Sequence, residues 1–173
     1  GLGRLLRARF QVPRGVCVTT AAYRQAWTML GLDPETQWNA ARLASESARA
    51  ELLEEWRHRL AGLSIELPER WQLDTTLAEI ERRAQTNRDT LWAVRSSASD
   101  EDARAGTFAG IYRTRLGVPR AHIMSAIVDC WVSVWTPASM AYRAPMASPQ
   151  GVPAMGVILQ TLLSPRAGGV AYS

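Results

Sequence analysis

The sequence contains no lysine: all 20 of its basic residues are arginine. Arginine binds phosphate through a planar fork of N–H donors, so this composition is consistent with an anionic ligand. The basic residues are interspersed with 16 acidic ones, and no block of five or more basic residues occurs. A mixed surface of this kind does not favour nucleic acid as a partner.

Cysteine and long apolar runs are also scarce. Cys17 and Cys130 are too few for a disulfide framework and lack metal-ligand spacing, so we expect two buried, reduced thiols. No apolar stretch approaches the roughly 20 residues that span a bilayer, and no signal peptide opens the chain. We therefore expect no membrane partner and a cytoplasmic location.

What is present indicates one compact domain. The chain has 173 residues, of which 47% are hydrophobic, enough for a single core in which we expect the tryptophans to pack. We expect one unit over residues 1–173, with a helical part at 20–88 and a sheet-rich part at 90–173. In the helical part, a long helix begins after Asp33-Pro34 and runs to about Leu60. A capping box beginning at Thr76 predicts the start of another helix.

The sheet-rich part carries alternating and apolar segments that are typical of strands. Residues 91–94 and 111–118 are predicted strands, and a short buried strand is expected at 16–18. The continuous apolar run at 155–163 predicts a central, buried strand. A turn at Gly168-Gly169 would lead it into an antiparallel partner.

The segment from Val94 to Thr114 has the most distinctive chemistry. An apolar strand ends in Arg95, Ser96 and Ser97, an acidic loop follows, and then comes the small-residue turn Ala109-Gly110. A backbone that approaches a triphosphate, with a guanidinium directed at it, needs these parts. Arg95 has a second interpretation, as the ion-pair partner of Asp100 or Glu101, and the serines have one as local caps of the loop.

The same segment resembles a known signature, V-R-S-S-A-x-x-E-D-x-x-x-x-[ST]-F-A-G-x-x-x-T. Further motifs follow in the right order: V-P-x-G near residue 12, C-W-V-S from Cys130, A-Y-R near residue 141 and V-I-L-Q ending at Gln160. Together they are similar to the ATP-binding domain shared by phosphoenolpyruvate synthases, pyruvate phosphate dikinases and rifampin phosphotransferases. The resemblance implies an α+β fold, the N-terminal half of an ATP-grasp domain, with a mixed sheet and flanking helices.

The resemblance also implies which residues contact ATP. They are Arg95, Ser96, Gly110, Thr114 and Gln160. Gln160 ends a buried strand, where its amide needs either a backbone partner or the adenine edge. The resemblance implies ATP and Mg²⁺ as cofactors, yet the neighbouring carboxylates of the acidic loop are not expected to bind metal, and we assign no metal ligand within the chain.

The implied activity is that of a phosphotransferase or dikinase. Such an enzyme phosphorylates one of its own histidines, on a phosphohistidine carrier domain, and passes the phosphate to pyruvate or another small acceptor. The family's ATP-contacting lysine and the second half of its nucleotide site have no counterpart in this chain. We therefore expect the isolated chain to be inactive, and the alternative is a non-catalytic remnant or regulatory module of the same fold.

Overall fold

The computed structural model describes residues 2–63, 72–84, 89–98, 111–143, 154–165 and 167. None of the helices in these ranges is long and apolar enough to cross a membrane. The described helices are α1 (Leu2–Arg7), α2 (Thr20–Met29), α3 (Pro34–Leu43), α4 (Glu46–Gly62), α5 (Leu73–Ala84), α6 (Ile123–Val132) and α7 (Pro137–Arg143). The strands are β1 (Gly15–Val18), β2 (Trp92–Ala98), β3 (Thr114–Val118) and β4 (Met155–Thr161), and 3-10 helices flank α6 at Arg120–His122 and Ser133–Trp135.

The four strands form one sheet in the order β1-β4-β2-β3. The α+β class is therefore confirmed, while the sheet, which was expected to be mixed, is antiparallel in every pairing that the structure describes. The apolar run that predicts a central strand is confirmed as β4, which lies between β1 and β2 and ends at Thr161. Strand β3 begins at Thr114, three residues later than predicted, because residues 111–113 form a turn.

The core lies on one face of the sheet. Trp92 and Val94 from β2 and Val157 and Leu159 from β4 are fully buried there, and α2 and α6 pack against these strands. Successive residues of a strand point to opposite faces. The residues that alternate with them along β2 and β4, such as Arg95 and Ile158, therefore lie on the other side of the sheet.

Aromatic side chains fill the space between the sheet-covering helices. The rings of Trp27, Trp56 and Trp135 meet with centroids 4.9–5.6 Å apart. Tyr23 packs edge-on against Trp27 and Trp131, and its hydroxyl accepts a hydrogen bond from the indole N–H of Trp135 at 3.1 Å. Such tilted pairs add to the free energy of burial. The prediction that tryptophans occupy packing positions is confirmed for these residues.

The long helix predicted from Asp33 is wrong, because the structure breaks it into α3 and α4. Ala44 is extended, and the Ser45 hydroxyl caps α4 by accepting from the N–H of Ala48 at 3.3 Å. The guanidinium of Arg49 donates to the carbonyls of Ala41 and Ala44 and so satisfies the end of α3. The predicted helix start at Asp33 is confirmed, because the Asp33 carboxylate accepts a hydrogen bond from the N–H of Thr36 at 2.8 Å.

The predicted capping box at Thr76 is also wrong. Helix α5 already begins at Leu73, after Gln72 adopts a left-handed backbone with φ of 50°. The Thr76 hydroxyl lies inside the helix and donates to the carbonyl of Gln72 at 2.9 Å. A threonine that bonds back to the preceding turn is compatible with a helix interior.

Helix α5 is tied to the end of β3 through one arginine. Arg120, two residues beyond β3, lies 2.6 Å from the carboxylate of Glu81 and 3.1 Å from that of Asp74. Glu81 is buried and Arg120 is mostly so. Asp74 is exposed, so the largely desolvated pair of Arg120 and Glu81 is the contact that holds α5 next to the residues that follow β3.

Candidate anion-binding face of the sheet

The sheet side opposite α2 and α6 is here called the open face. Antiparallel partners point to the same side, so the pairings Arg95–Thr114, Arg95–Ile158 and Cys17–Ile158 place four side chains in one row across four strands. Arg95, Thr114 and Cys17 are exposed, and Ile158 is half-buried. The residues next to this row along the strands belong to the same face. They are Gly15, Ala93, Ser97, Gly156 and Gln160.

Arg95 and Thr114 form the polar centre of this row. Directly opposed residues have Cβ atoms about 5 Å apart, so the guanidinium and the hydroxyl can reach one small anion together. No described residue of the open face is acidic, and within the described ranges no carboxylate forms an ion pair with Arg95. An anion arriving here would meet an accessible cation and no described like charge.

Gln160 lies on the open face two residues from the Arg95 row, about 7–8 Å away along the diagonal. It is 6% exposed, and its amide nitrogen donates to the carbonyl of Pro13 at 3.1 Å. Of the two partners that the sequence left open for this amide, the backbone is therefore the one observed. The amide extends the pairing of β1 with β4, and Gly15, opposite Gln160, leaves room for its side chain.

Ser96 points the other way. It pairs with Val157, whose side chain belongs to the buried face, and it is half-buried. Its backbone N–H donates to the carbonyl of Arg113 at 3.3 Å. The structure thus brings Arg95, Thr114 and Gln160 to one face and places the Ser96 side chain on the opposite one.

The backbone of Arg113, just before β3, is held by the end of α6. Its N–H donates to the Ser133 hydroxyl at 3.3 Å, and its carbonyl accepts from the Cys130 thiol at 3.3 Å. These two side chains received no role from the sequence. The signal was available in the C-W-V-S motif, where a cysteine and a serine lie three residues apart and so share one side of a helix.

The two cysteines differ, and the expectation that both are buried is wrong for Cys17. Cys130 is fully buried, and burial raises the pKa of its thiol to about 12. Cys17 is exposed, because it lies on the open face of β1, the outermost strand of the described sheet. Partial burial of its sulfur still raises its pKa. The apolar neighbours of Cys17 in the sequence do not indicate which face of β1 its side chain occupies.

Several predicted features lie outside the described residues. They include Gly110, the acidic residues 100–102 and the turn at 168–169. Within the described ranges, no three histidine, cysteine, aspartate or glutamate residues lie close enough to hold a metal ion.

A cavity of about 490 Å³ lies beside β1, away from Arg95. Residues of α1, of α5 and of the segment that leads into β1 line it, and Gly15 is the open-face residue among them. Its walls are mostly apolar with two guanidinium groups. The lining residues are Leu6, Phe10, Gln11, Val12, Pro13, Arg14, Gly15, Ile80 and Arg83.

Comparison with known proteins shows the family of the chain. The family described as pyruvate phosphate dikinase, AMP/ATP-binding domain, matches residues 1–173. A rifampicin phosphotransferase of Streptomyces sviceus is 31% identical over 99% of this chain and 20% of its own length. A phosphoenolpyruvate synthase of Aeropyrum pernix is 27% identical over 100% of this chain and 22% of its own length. The chain thus spans about a fifth of the length of these relatives.

Proposed function

Because the chain belongs to the family of pyruvate phosphate dikinase AMP/ATP-binding domains, we propose that it is the ATP-binding part of a phosphotransferase that phosphorylates an enzyme histidine. The phosphate would then pass to pyruvate or another small acceptor. The relatives' names, which include a phosphoenolpyruvate synthase and a rifampicin phosphotransferase, support a transferred phosphoryl group with varying acceptors. The partners are accordingly a phosphohistidine carrier domain and the acceptor molecule, in the cytoplasm.

The observation that carries the proposal is the Arg95–Thr114 pair on the open face. The guanidinium would neutralise phosphate oxygens through two parallel N–H donors, and the Thr114 hydroxyl would donate a further hydrogen bond. Gly110 would let the preceding backbone approach the phosphates. Ile158 offers an apolar surface beside them, and Gln160 marks the adenine end of the face.

Ser96 takes a different part in this proposal. With its side chain on the buried face, it would contribute through its backbone, which joins β2 to the residue before Thr114. The hydrogen bond from the Ser96 N–H to the Arg113 carbonyl would help to bind a nucleotide because it keeps Arg95 opposite Thr114. We retain Ser96 in the proposed site on that basis.

Mg²⁺ accompanies ATP in phosphoryl transfer, where it neutralises phosphate charge. The described open-face residues fit phosphates and do not fit this ion, since none of them is a carboxylate. We assign them no metal ligand. Their own contribution is to bind and orient the polyphosphate.

Replacing Arg95 by alanine tests the site. In the protein at its full encoded length, we expect ATP binding to weaken by roughly 1.5–3 kcal/mol, which is about 10- to 150-fold. Arg115→Ala is the matched control, because Arg115 lies on the same strand as Thr114 but pairs with Asp129 of α6 on the other face. Calorimetry that gives Arg95→Ala the wild-type affinity would remove Arg95 from the site.

A second experiment addresses competence. We expect the 173-residue chain by itself to release neither phosphate nor AMP from ATP, because one arginine and a few hydroxyls leave most of the triphosphate in water. Robust turnover by the purified chain, abolished by Arg95→Ala, would contradict this. A full-length protein that binds ATP but never labels a histidine would instead favour the non-catalytic alternative.

A further inference from the structure

Two side chains at the end of α6 hold a single residue of the neighbouring backbone. Ser133 accepts from the N–H of Arg113 at 3.3 Å, and Cys130 donates to the carbonyl of the same residue at 3.3 Å. The Ser133 hydroxyl in turn donates to the carbonyl of Cys130 at 2.7 Å. The donor and the acceptor of one residue are therefore both fixed from the helix.

The two side chains that make these contacts are sheltered from water. Cys130 is 0% exposed and Ser133 is 2% exposed. Because burial raises the pKa of the Cys130 thiol to about 12, the S–H remains a donor across the physiological range. Neither side chain reaches the open face, so any effect on a ligand there has to pass through Arg113.

The backbone that they hold is next to the proposed phosphate contacts. The Arg113 carbonyl also accepts from the N–H of Ser96, the residue that follows Arg95. One step further along, Arg95 and Thr114 pair directly. Among the described residues, β3 has a strand partner on one side only, and its pairing with β2 shifts register between Trp92 and Val94 of β2.

We propose that Cys130 and Ser133 are positioning residues, which keep Thr114 in register with Arg95 by anchoring the Arg113 backbone to α6. The inference rests on the proposed ATP-binding function and adds to it residues that never touch the ligand. Without the anchor, β3 can shift against β2, and the hydroxyl and the guanidinium no longer converge on one anion. Binding and catalytic sites tolerate only small displacements of their groups, about 0.5 Å or less.

Substitutions at the two positions provide the test in the protein at its full encoded length. We expect Ser133→Ala and Cys130→Ala each to raise the Kd for ATP about 5- to 10-fold, with far-ultraviolet circular dichroism unchanged. Cys130→Ser, which retains a donor, should recover most of the affinity that Cys130→Ala loses. Should Ser133→Ala fail to fold, the comparison of the two Cys130 variants decides.

Thr136→Val is the matched control for stability. Thr136 is half-buried near Ser133. Its hydroxyl donates a hydrogen bond to the carbonyl of Ser133 and accepts one from the N–H of Ser139, and it forms none with Arg113. We expect Thr136→Val to lower the melting temperature as Ser133→Ala does, yet to leave the Kd within about twofold of wild type. Equal losses of affinity in both would mean that general stability, not positioning, sets the effect.

A double-mutant comparison separates this inference from the function on which it rests. In an Arg95→Ala background, Ser133→Ala should cause less than a twofold further change in Kd, because the contact that it aligns is already gone. If the wild-type protein does not bind ATP, the proposed function fails. If it binds ATP but Arg95→Ala and Thr114→Ala both leave the affinity unchanged, the open face is not the ATP site. If they weaken it while Ser133→Ala does not, or if the losses simply multiply, only the positioning inference fails.

Discussion

Among the glycines that the structure describes, Gly15 is the one with least room for a side chain. A Cβ at this residue would overlap the carbonyl oxygen of Leu159 and lie 2.8 Å from Cγ of Gln160. Carbon atoms in contact prefer separations of about 3.5–4.0 Å, so Gly15→Ala requires the start of β1 to move by roughly 1 Å. Most of the obstruction is backbone, which cannot rotate aside.

The cost can be worked out from the contacts that such a shift removes. Two hydrogen bonds of 3.1 Å join this end of β1 to β4, from Thr161 N–H to the Arg14 carbonyl and from the Gln160 amide to the Pro13 carbonyl. Each contributes about 0.5–1.5 kcal/mol, and forced overpacking adds about 1–3 kcal/mol. We expect a total loss of about 2–6 kcal/mol, or roughly 4–24 °C in melting temperature for a chain of this size.

Urea unfolding followed by tryptophan fluorescence measures this loss, because Trp27, Trp56 and Trp135 are fully buried. Gly62→Ala is the control: Gly62 is helical, and no described heavy atom lies within 4 Å of the point that an alanine Cβ would occupy. Alanine there should be neutral or stabilise by up to about 1 kcal/mol. A Gly15→Ala protein as stable as wild type would refute the close approach of β1 to β4.

Two further predictions concern charge. Arg120→Ala should destabilise the fold by roughly 3 kcal/mol by leaving the buried Glu81 without its 2.6 Å partner, whereas Arg57→Ala, which breaks an exposed pair, should cost under about 0.5 kcal/mol in the same urea titration. Hydrogen bonds from Arg82 and Arg83 lower the pKa of Glu79 from 4.5 to about 2. A depressed carboxyl pKa contributes stability that is complete above pH 4.5 and is lost as the pH falls towards 2. Wild type should thus exceed Glu79→Gln in urea midpoint near neutral pH, with the difference vanishing at about pH 2; a constant difference would contradict this assignment.

Elements with a strong local signal were predictable from the sequence. The apolar run of β4 is long, uninterrupted and rich in branched residues, so its burial and central place followed from composition alone. The start of α3 was equally clear, because Asp33 followed by proline satisfies the first turn by itself. In such cases, local chemistry and tertiary packing favour the same structure.

Features that depend on distant partners were not predictable. Ser45 is as acceptable within a helix as at its start, and only Arg49, folding back onto the carbonyls of α3, stabilises the break. The exposure of Cys17 depends on which face of the sheet the helices cover. The Arg113 anchor joins residues 17 and 20 positions apart, a contact that no local pattern encodes.

The separation of Arg95 from Ser96 follows from the same alternation that builds the core. Val94 must face the helices, because it is fully buried beside Val157 and Leu159. With Val94 inside, Arg95 is directed to the open face and Ser96 back towards the helices. The strand therefore cannot present both polar side chains to one ligand without exposing its apolar residues. A guanidinium on the open face and a serine joined through its backbone to Arg113 are two consequences of burying a single valine.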